Sequence, residues 1–433
     1  MAVEWYLDFV DLKHRPRADE LLALFRVEPA RGISIREAAG RVASESSIGT
    51  WTKLTTLKPE MRRLMARVCE IDGPWIKVAY PLELFEEGSL SGLMSAVAGN
   101  IFGMKALKNL RLVDIQLPPR YLRGFRGPAY GRDAIRKIFK RKAGPITAVV
   151  PKPKVGFSAW EHAAEIGYAL WRGGIDCVKD DENLTSQRFN RLERRVRLLA
   201  KFRDKAERET GEVKEAFINV TAPNLKELER RVKLIHDHGF RYFMIDVVVC
   251  GFVAVQTAAE LAHDYGMAIH GHRAMHAAMT RNPKHGISML FLAKLMRLAG
   301  VDQLHIGTVV GKLAGGREEV LAIKELITRR EVGEIPGLRM AQRWGRVKPM
   351  LPVASGGLHP GILPEVFDIY GTTDLVVQVG GGTQGHPMGV EAGAKAVVQA
   401  IDAYKAGVSL EEYARTRKEL RVALEHWGKK KPR

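Results

Sequence analysis

Cysteine is scarce in this chain. Cys69, Cys177 and Cys250 are the only three in 433 residues, and none stands at the spacing of a disulfide framework or a thiolate metal site. A disulfide-stapled scaffold is thereby excluded, and a reducing cytoplasm is the compartment that fits. Long hydrophobic runs are missing too: nothing approaches the ~18 to 20 apolar residues of a membrane-spanning helix. Residues 1–11 carry acids early and no apolar signal core, so secretion is not expected. Absent as well are helix-turn-helix, zinc-finger and RNA-binding signatures, which bears on the net charge of +19. The basic residues are dispersed and often sit beside acids, as in Arg191-Leu192-Glu193-Arg194-Arg195, while the one dense run, Lys429-Lys430-Lys431, reads as a frayed tail. No nucleic acid and no membrane is therefore expected as a partner. A protein that handles anionic phosphate esters needs positive charge equally.

What is present describes a globular chain, 46% hydrophobic and 27% charged, long enough for two domains or one large barrel with an extension. The first ~125 residues mix helical and strand patterns without strict alternation: a weak strand at 2–12, a helix at 35–45, a strand at 75–84 and a helix at 89–99. They predict a small α+β domain over 1–127, ending at the glycine-rich piece before Pro128. Over 128–433 the pattern changes. Short apolar runs recur at 146–150, 175–178, 215–220, 242–249, 267–269, 303–306, 350–354 and 374–379, with helical patterns between them. Eight βα units fit the ~250 residues of a (β/α)8 barrel. An open doubly wound sheet shares the alternation, but the count of eight and the polar cluster after nearly every run favour the barrel.

In such barrels the chemistry sits where strands end. The second run ends in Lys179-Asp180-Asp181-Glu182. A period of two puts Lys179 and Asp181 on one face and Asp180 on the other. Three acids beside an amine are costly to bury without a counter-charge, and oxygen-rich ligands favour magnesium over zinc. A solvated acidic loop is the competing reading. The first run ends in Lys152-Pro153-Lys154, whose proline predicts an extended segment with both lysines on one side, suited to proton transfer or charge stabilisation. The third gives Asn219 and Thr221, the fifth His270-Gly271-His272-Arg273, and the sixth His305 before Gly307-Thr308-Val309-Val310-Gly311-Lys312. Glycines around Lys312 suit a mobile lid, or an ordinary loop. Ser355-Gly356-Gly357 and Gly380-Gly381-Gly382 follow the last two runs, where barrels bind phosphate through backbone N–H groups. Arg273 and His305 would supply a second anion site, so a short bisphosphorylated substrate is expected. His270-x-His272 also has zinc-ligand spacing, but barrel amidohydrolases carry that motif on the first strand and an aspartate after the last.

Together these motifs resemble the large subunit of ribulose-1,5-bisphosphate carboxylase/oxygenase, and most closely the archaeal form III enzymes. The matching stretches are Gly173-Gly174-Ile175-Asp176-Cys177-Val178-Lys179-Asp180-Asp181-Glu182-Asn183, Lys152-Pro153-Lys154, His272-Arg273-Ala274-Met275-His276, Gly307 to Lys312 and Ser355-Gly356-Gly357. Glu45-Ser46-Ser47-Ile48-Gly49-Thr50-Trp51-Thr52 and Gly99-Asn100-Ile101-Phe102-Gly103 match as well, so the likeness covers nearly the whole chain. The resemblance implies that Lys179, carbamylated by an activator CO2, holds one Mg2+ with Asp181 and Glu182 and removes the C3 proton of ribulose 1,5-bisphosphate to give a Mg2+-stabilised enediolate. Lys152 would protonate the final C2 carbanion with support from Lys154, and His272 would assist proton transfer at the C3 oxygen. Lys312, paired with Glu45, would orient the substrate CO2. One phosphate would meet Thr50, Trp51, Gly357, Gly380 and Gly381, the other Arg273, His305 and Ser355. Gly356 and Gln378 would line the same site, and Asn100 would contact the bound intermediate.

Glu45, Thr50, Trp51 and Asn100 would come from a neighbouring chain, making a homodimer the minimal unit, open to a ring of dimers and needing no small subunit. The implied reaction yields two 3-phosphoglycerates, with O2 competing as an oxygenase substrate, in nucleotide salvage. A RuBisCO-like enolase or isomerase is the alternative, since it shares the enolisation half. Departures are Ile48, where the family usually has threonine, Met388 in place of a tryptophan common in plant enzymes, and a tail after Trp427 too short for plant-style latching of the lid.

Overall fold

The computed structural model describes residues 2–310 and 316–431. The chain divides into two compact units, the first made of Met1–Gly127, Met275–Ala299 and Arg329–Val347, the second of Pro128–Ala274, Gly300–Thr328 and Lys348–Arg433. The first unit is built on the antiparallel strands β1 (Glu20–Pro29), β2 (Arg67–Asp72), β3 (Trp75–Pro81) and β4 (Leu107–Gln116), with the short strand Gly286–Ile287 added in parallel beside β4. Sequence reading divides the chain once, after residue 127; two later segments also belong to this unit, and specific bonds account for it. Lys294 Nζ lies 2.7 Å from Asp114 Oδ1 with both side chains fully buried, and the Gln342 amide exchanges bonds of 2.9 and 3.0 Å with the Leu117 backbone.

The expected strand at 2–12 is instead a helix, Ala2–Leu7. Trp5 and Tyr6 are buried on this helix, and Phe9 and Val10 are buried in the turn and bridge that follow it, where Val10 pairs with Val68. The expected strand at 75–84 stops at Pro81 and passes into a 3-10 turn, Leu82–Leu84. The expected helices appear as Ile35–Glu45, capped by the Ser34 hydroxyl on the Glu37 N–H, and Leu90–Val97, capped by Ser89.

The second unit is a (β/α)8 barrel. Its strands are β5 (Ile146–Val149), β6 (Cys177–Lys179), β7 (Glu215–Phe217), β8 (Tyr242–Asp246), β9 (Ala268–His272), β10 (Gln303–His305), β11 (Leu351–Ser355) and β12 (Val376–Val379). Each of the eight apolar runs forms one of them. All pair in parallel, and β12 returns to β5. Closure between β7 and β8 comes from the Met244 N–H to Ile218 O and the Val220 N–H to Met244 O, both 2.8 Å. The interior is apolar: Ile146, Ala148, Cys177, Phe217, Tyr242, Met244, Ala268, Leu351, Val353 and Val376 form one buried cluster. Because side chains alternate with a period of two, the next inward positions are already determined. Two residues beyond Cys177, Phe217, Met244, Ala268, Val353 and Val376 stand Lys179, Asn219, Asp246, His270, Ser355 and Gln378. An apolar plug thus carries a polar layer at the carboxyl ends of the strands.

Asp180 points the other way. Its Oδ2 accepts from Arg195 Nε at 3.2 Å and Nη2 at 3.0 Å and from the Asn219 N–H at 3.0 Å, and His162 Nε2 lies 3.3 Å from Oδ1. Burial would raise this carboxyl, but Arg195 and His162 outweigh it and hold it below the usual range. Both members of the Asp180–Arg195 pair are fully buried, so removing one charge strands the other. Asp180→Asn is expected to cost about 3 kcal/mol of stability, seen as a lower urea midpoint, while specific activity per folded molecule stays near that of the unmodified chain.

Candidate active site

A cleft of about 780 Å³ opens at the carboxyl ends of the barrel strands, lined by Lys152, Lys154, Asp181, Glu182, His272, Ser355, Gly356, Gly357, Gln378, Gly380 and Gly381 among others. Residues from the ends of five strands therefore meet in one place. On one wall Lys152 Nζ donates to Asp181 Oδ2 at 2.8 Å, and Lys154 Nζ lies 3.7 Å from Glu182 Oε1. The Lys152–Pro153 peptide bond is cis rather than extended trans, and both lysines reach the acid pair. Burial alone would raise the Asp181 carboxyl, but the Lys152 ammonium and the Asn183 donors outweigh it and hold it down at about 2. His272 Nε2 stands 3.7 Å from Glu182 Oε2, and its Nδ1 is 3.2 Å from Asp246 Oδ1. Burial, reinforced by the charge of Lys179, keeps His272 below the ordinary imidazole range.

Lys179 is fully buried, and its Nζ donates to the Asp180 carbonyl oxygen at 2.7 Å. Burial drives its ammonium below the ordinary lysine range against the pull of Glu182, Asp246, Asp181 and Asp180. Among the described residues, no group of three or more His, Cys, Asp or Glu side chains is arranged to hold a metal ion. At this wall two carboxylates, Asp181 and Glu182, converge beside the lysine. Their hard oxygen donors suit magnesium.

Another wall is built of glycine turns. Gly356 and Gly357 follow β11 with φ of 113° and 77°, a left-handed path that any side chain would strain. Gly380 and Gly381 follow β12 and open onto the cleft, whereas a Cβ on Gly382 would meet Leu358 O at 2.2 Å. Beside them Gln378 has a buried Oε1 without a hydrogen-bond partner among the described residues. His305 is buried behind Ser355, its Nδ1 2.6 Å from Ser355 Oγ, and burial brings Arg273 down to about 10. His270, the other half of the zinc-like pair, is fully buried between Gln303 and His305 and is not a free ligand.

Two features escaped sequence reading. Asp246 ends β8 and accepts from Thr221 Oγ1 at 3.0 Å and Asn219 Nδ2 at 3.3 Å; its signal was a lone carboxylate in inward register after Tyr242 and Met244. The second is the tail, which is docked rather than frayed. His426, Trp427, Lys430 and Lys431 line the cleft, and His359 Nε2 lies 2.9 Å from Lys430 O. A Cβ on Gly361 would fall 1.8 Å from Gly428 O, so two glycine backbones pack directly against each other. Glu45, Thr50, Trp51 and Asn100 lie in the first unit; Trp51 is 71% exposed, and Asn100 starts the turn Asn100–Gly103. Lys312 lies outside the described residues.

Fold and site define a barrel protein whose cleft brings a lysine–carboxylate cluster together with two glycine turns. Residues 8–121 match the N-terminal domain model, and residues 132–427 the catalytic domain model, of the ribulose bisphosphate carboxylase large chain. The ribulose bisphosphate carboxylase of Pyrococcus abyssi is 53% identical over 437 residues, covering 100% of this chain and 99% of that protein. Among solved structures, the dimeric archaeal Rubisco from Hyperthermus butylicus superposes with a TM-score of 0.93 at 49% identity, covering 98% of this chain and 100% of that one. The octameric Rubisco from Pyrococcus horikoshii OT3, solved with sulfate ion, gives 0.92 at 53%, covering 99% and 98%. The chain belongs to the ribulose bisphosphate carboxylase large-chain family.

The glycine turn after β12 separates fold from cleft at neighbouring positions. Gly382→Ala must push the Leu358–His359 backbone aside and is expected to cost about 2 kcal/mol. Gly381→Ala, with nothing within 4 Å of the added carbon, is expected to stay within about 0.5 kcal/mol of the unmodified chain. Chemical denaturation of the two variants checks the contrast.

Proposed function

We propose that the chain is a form III ribulose-1,5-bisphosphate carboxylase, joining CO2 and water to ribulose 1,5-bisphosphate to give two 3-phosphoglycerates, with O2 as a competing substrate. The observation that carries this reading is Lys179, an amine held without water beside Asp181 and Glu182 and pushed toward its neutral form by burial. A neutral amine is the nucleophile that adds to CO2; loss of a proton then leaves a carbamate, an anionic oxygen donor. With Asp181 and Glu182 it would complete the oxygen set for one magnesium ion. Magnesium, when bound, would supply the positive charge that stabilises an enediolate.

The chain's own groups divide the remaining work. The Lys179 carbamate takes the C3 proton of the substrate. His272, oriented by Asp246, moves protons at the C3 oxygen, and Lys152 returns a proton to the C2 carbanion with electrostatic support from Lys154. Gly357, Gly380 and Gly381, with Gly356 and Gln378 beside them, bind one phosphate; Arg273 and Ser355 bind the other, with His305 hydrogen-bonded behind Ser355. Lys312, paired with Glu45, orients the substrate CO2. Glu45, Thr50, Trp51 and Asn100 serve the site of a neighbouring chain, a role that the exposure of Trp51 supports. The smallest working unit is then a homodimer, with rings of dimers open to it and no small subunit. The named assemblies of its structural relatives, one dimeric and one octameric, support that reading. Among the described residues no helix is long and apolar enough to cross a membrane, and we place the enzyme in the cytoplasm, in nucleotide salvage.

After preincubation with CO2 and Mg2+, the protein is expected to incorporate labelled CO2 into acid-stable product with ribulose 1,5-bisphosphate. Lys179→Ala should lower that rate by at least about a thousandfold. Exchange of the C3 proton without incorporation of label would instead assign an enolase-type reaction.

A further inference from the structure

A line of polar side chains runs through the barrel interior to the cleft. Gln303 on β10 and His270 on β9 face each other in register. Gln303 Nε2 lies 2.7 Å from His270 Nδ1, His270 Nε2 2.8 Å from His305 Nε2, and His305 Nδ1 2.6 Å from Ser355 Oγ. Gln303, His270 and His305 are buried to 2% exposure or less, and Ser355, at 8%, is the member that reaches the cleft. The His270 ring is stacked on Phe217 with centroids 4.3 Å apart and planes 13° apart, which fixes its plane. Burial, aided by neighbouring charges, holds both imidazoles well below their ordinary range, so each is neutral with one N–H.

The chain of bonds can then run in two directions. In the first, the Gln303 amide N–H donates to His270 Nδ1, His270 Nε2–H to His305 Nε2, and His305 Nδ1–H to Ser355 Oγ. The serine hydroxyl keeps its hydrogen free for the cleft. In the second, every hydrogen is reversed: Gln303 accepts, the Ser355 hydroxyl is committed inward to His305, and only its lone pairs face outward. An anion is bound by the first and repelled by the second. In the observed arrangement Gln303 turns its Nε2, which can only donate, toward His270 Nδ1, as the first direction requires.

We infer that Gln303 is a positioning residue for the phosphate site: through His270 and His305 it orients the Ser355 hydroxyl hydrogen toward an anion in the cleft. The inference rests on Ser355 being a phosphate ligand, as proposed above, and names a group that acts on it through two intervening residues.

The test is nitrogen NMR of the 15N-histidine-labelled protein, paired with titration of inorganic phosphate. The unmodified protein should show His270 protonated on Nε2 and His305 on Nδ1. Gln303→Met should mix the two tautomers and weaken phosphate binding about tenfold, with KM for ribulose 1,5-bisphosphate rising in parallel and kcat within about twofold. Ser355→Ala should weaken phosphate binding equally, and adding Gln303→Met to it should change nothing more. His305 unprotonated at Nδ1 in the unmodified protein would overturn the inference, and that measurement needs no variant to fold. So would Gln303→Met with altered tautomers and unchanged phosphate affinity. If the protein fails to carboxylate, the proposed activity falls, while tautomers and phosphate binding still decide the role of Gln303.

Discussion

A fully buried lysine side chain is the constraint around which the barrel mouth is arranged. Lys179 stands at the end of an apolar strand, where the inward register that packs Cys177 into the core delivers the next inward side chain to the same interior. Leaving a charge there uncompensated would be expensive. Acids gather around it, yet each acid then needs a partner of its own. Asp180 is met by Arg195 and His162, Asp181 by Lys152, and Asp246 by Asn219, Thr221 and His272. One buried amine thus accounts for a shell of paired charges reaching β5, β7, β8, β9 and the helix Leu192–Thr210.

That shell also explains why two adjacent aspartates have different fates. Asp180 satisfies its charge within the fold and is held low by Arg195, so its carboxylate is spoken for. Asp181 is paired with a lysine that itself lines the cleft. The first is a structural anion; the second is an anion whose partner sits where a substrate or cation can compete for it. Alternation along the strand makes this split readable in the sequence, since a period of two sends neighbours to opposite faces.

Legibility elsewhere follows the same physics. The eight barrel strands stood out because parallel strands covered by helices are buried on both faces and read as unbroken apolar runs. The first unit was harder: β1, β2 and β4 were not singled out, and weak alternation over residues 2–12 suggested a strand where the chain forms the helix Ala2–Leu7. The insertion of 275–299 and 329–347 into that unit depends on Lys294 meeting Asp114 and Gln342 meeting Leu117, pairings that no local pattern announces. At the site, clusters such as Lys179-Asp180-Asp181-Glu182 drew attention because several polar residues coincide. Asp246 and Gln303 did not, because a single polar residue in an apolar run says nothing about what it faces. Family resemblance supplied the roles; register supplied the neighbours.

The tail shows how composition misleads when packing is remote. Three consecutive lysines after a helix have every local reason to be solvated. Their course is set by Gly361 and Gly428, whose backbones touch because neither carries a side chain, and by the His359 ring on the Lys430 carbonyl. Two of the cations lie against acids, Lys429 on Glu411 at 2.8 Å and Lys431 on Glu365 at 2.6 Å. Lys430 and Lys431 nevertheless line the cleft on the side of the glycine turns. Positive charge that reads as a frayed tail is therefore placed at the cleft where the bisphosphate we propose as substrate would carry its negative charge.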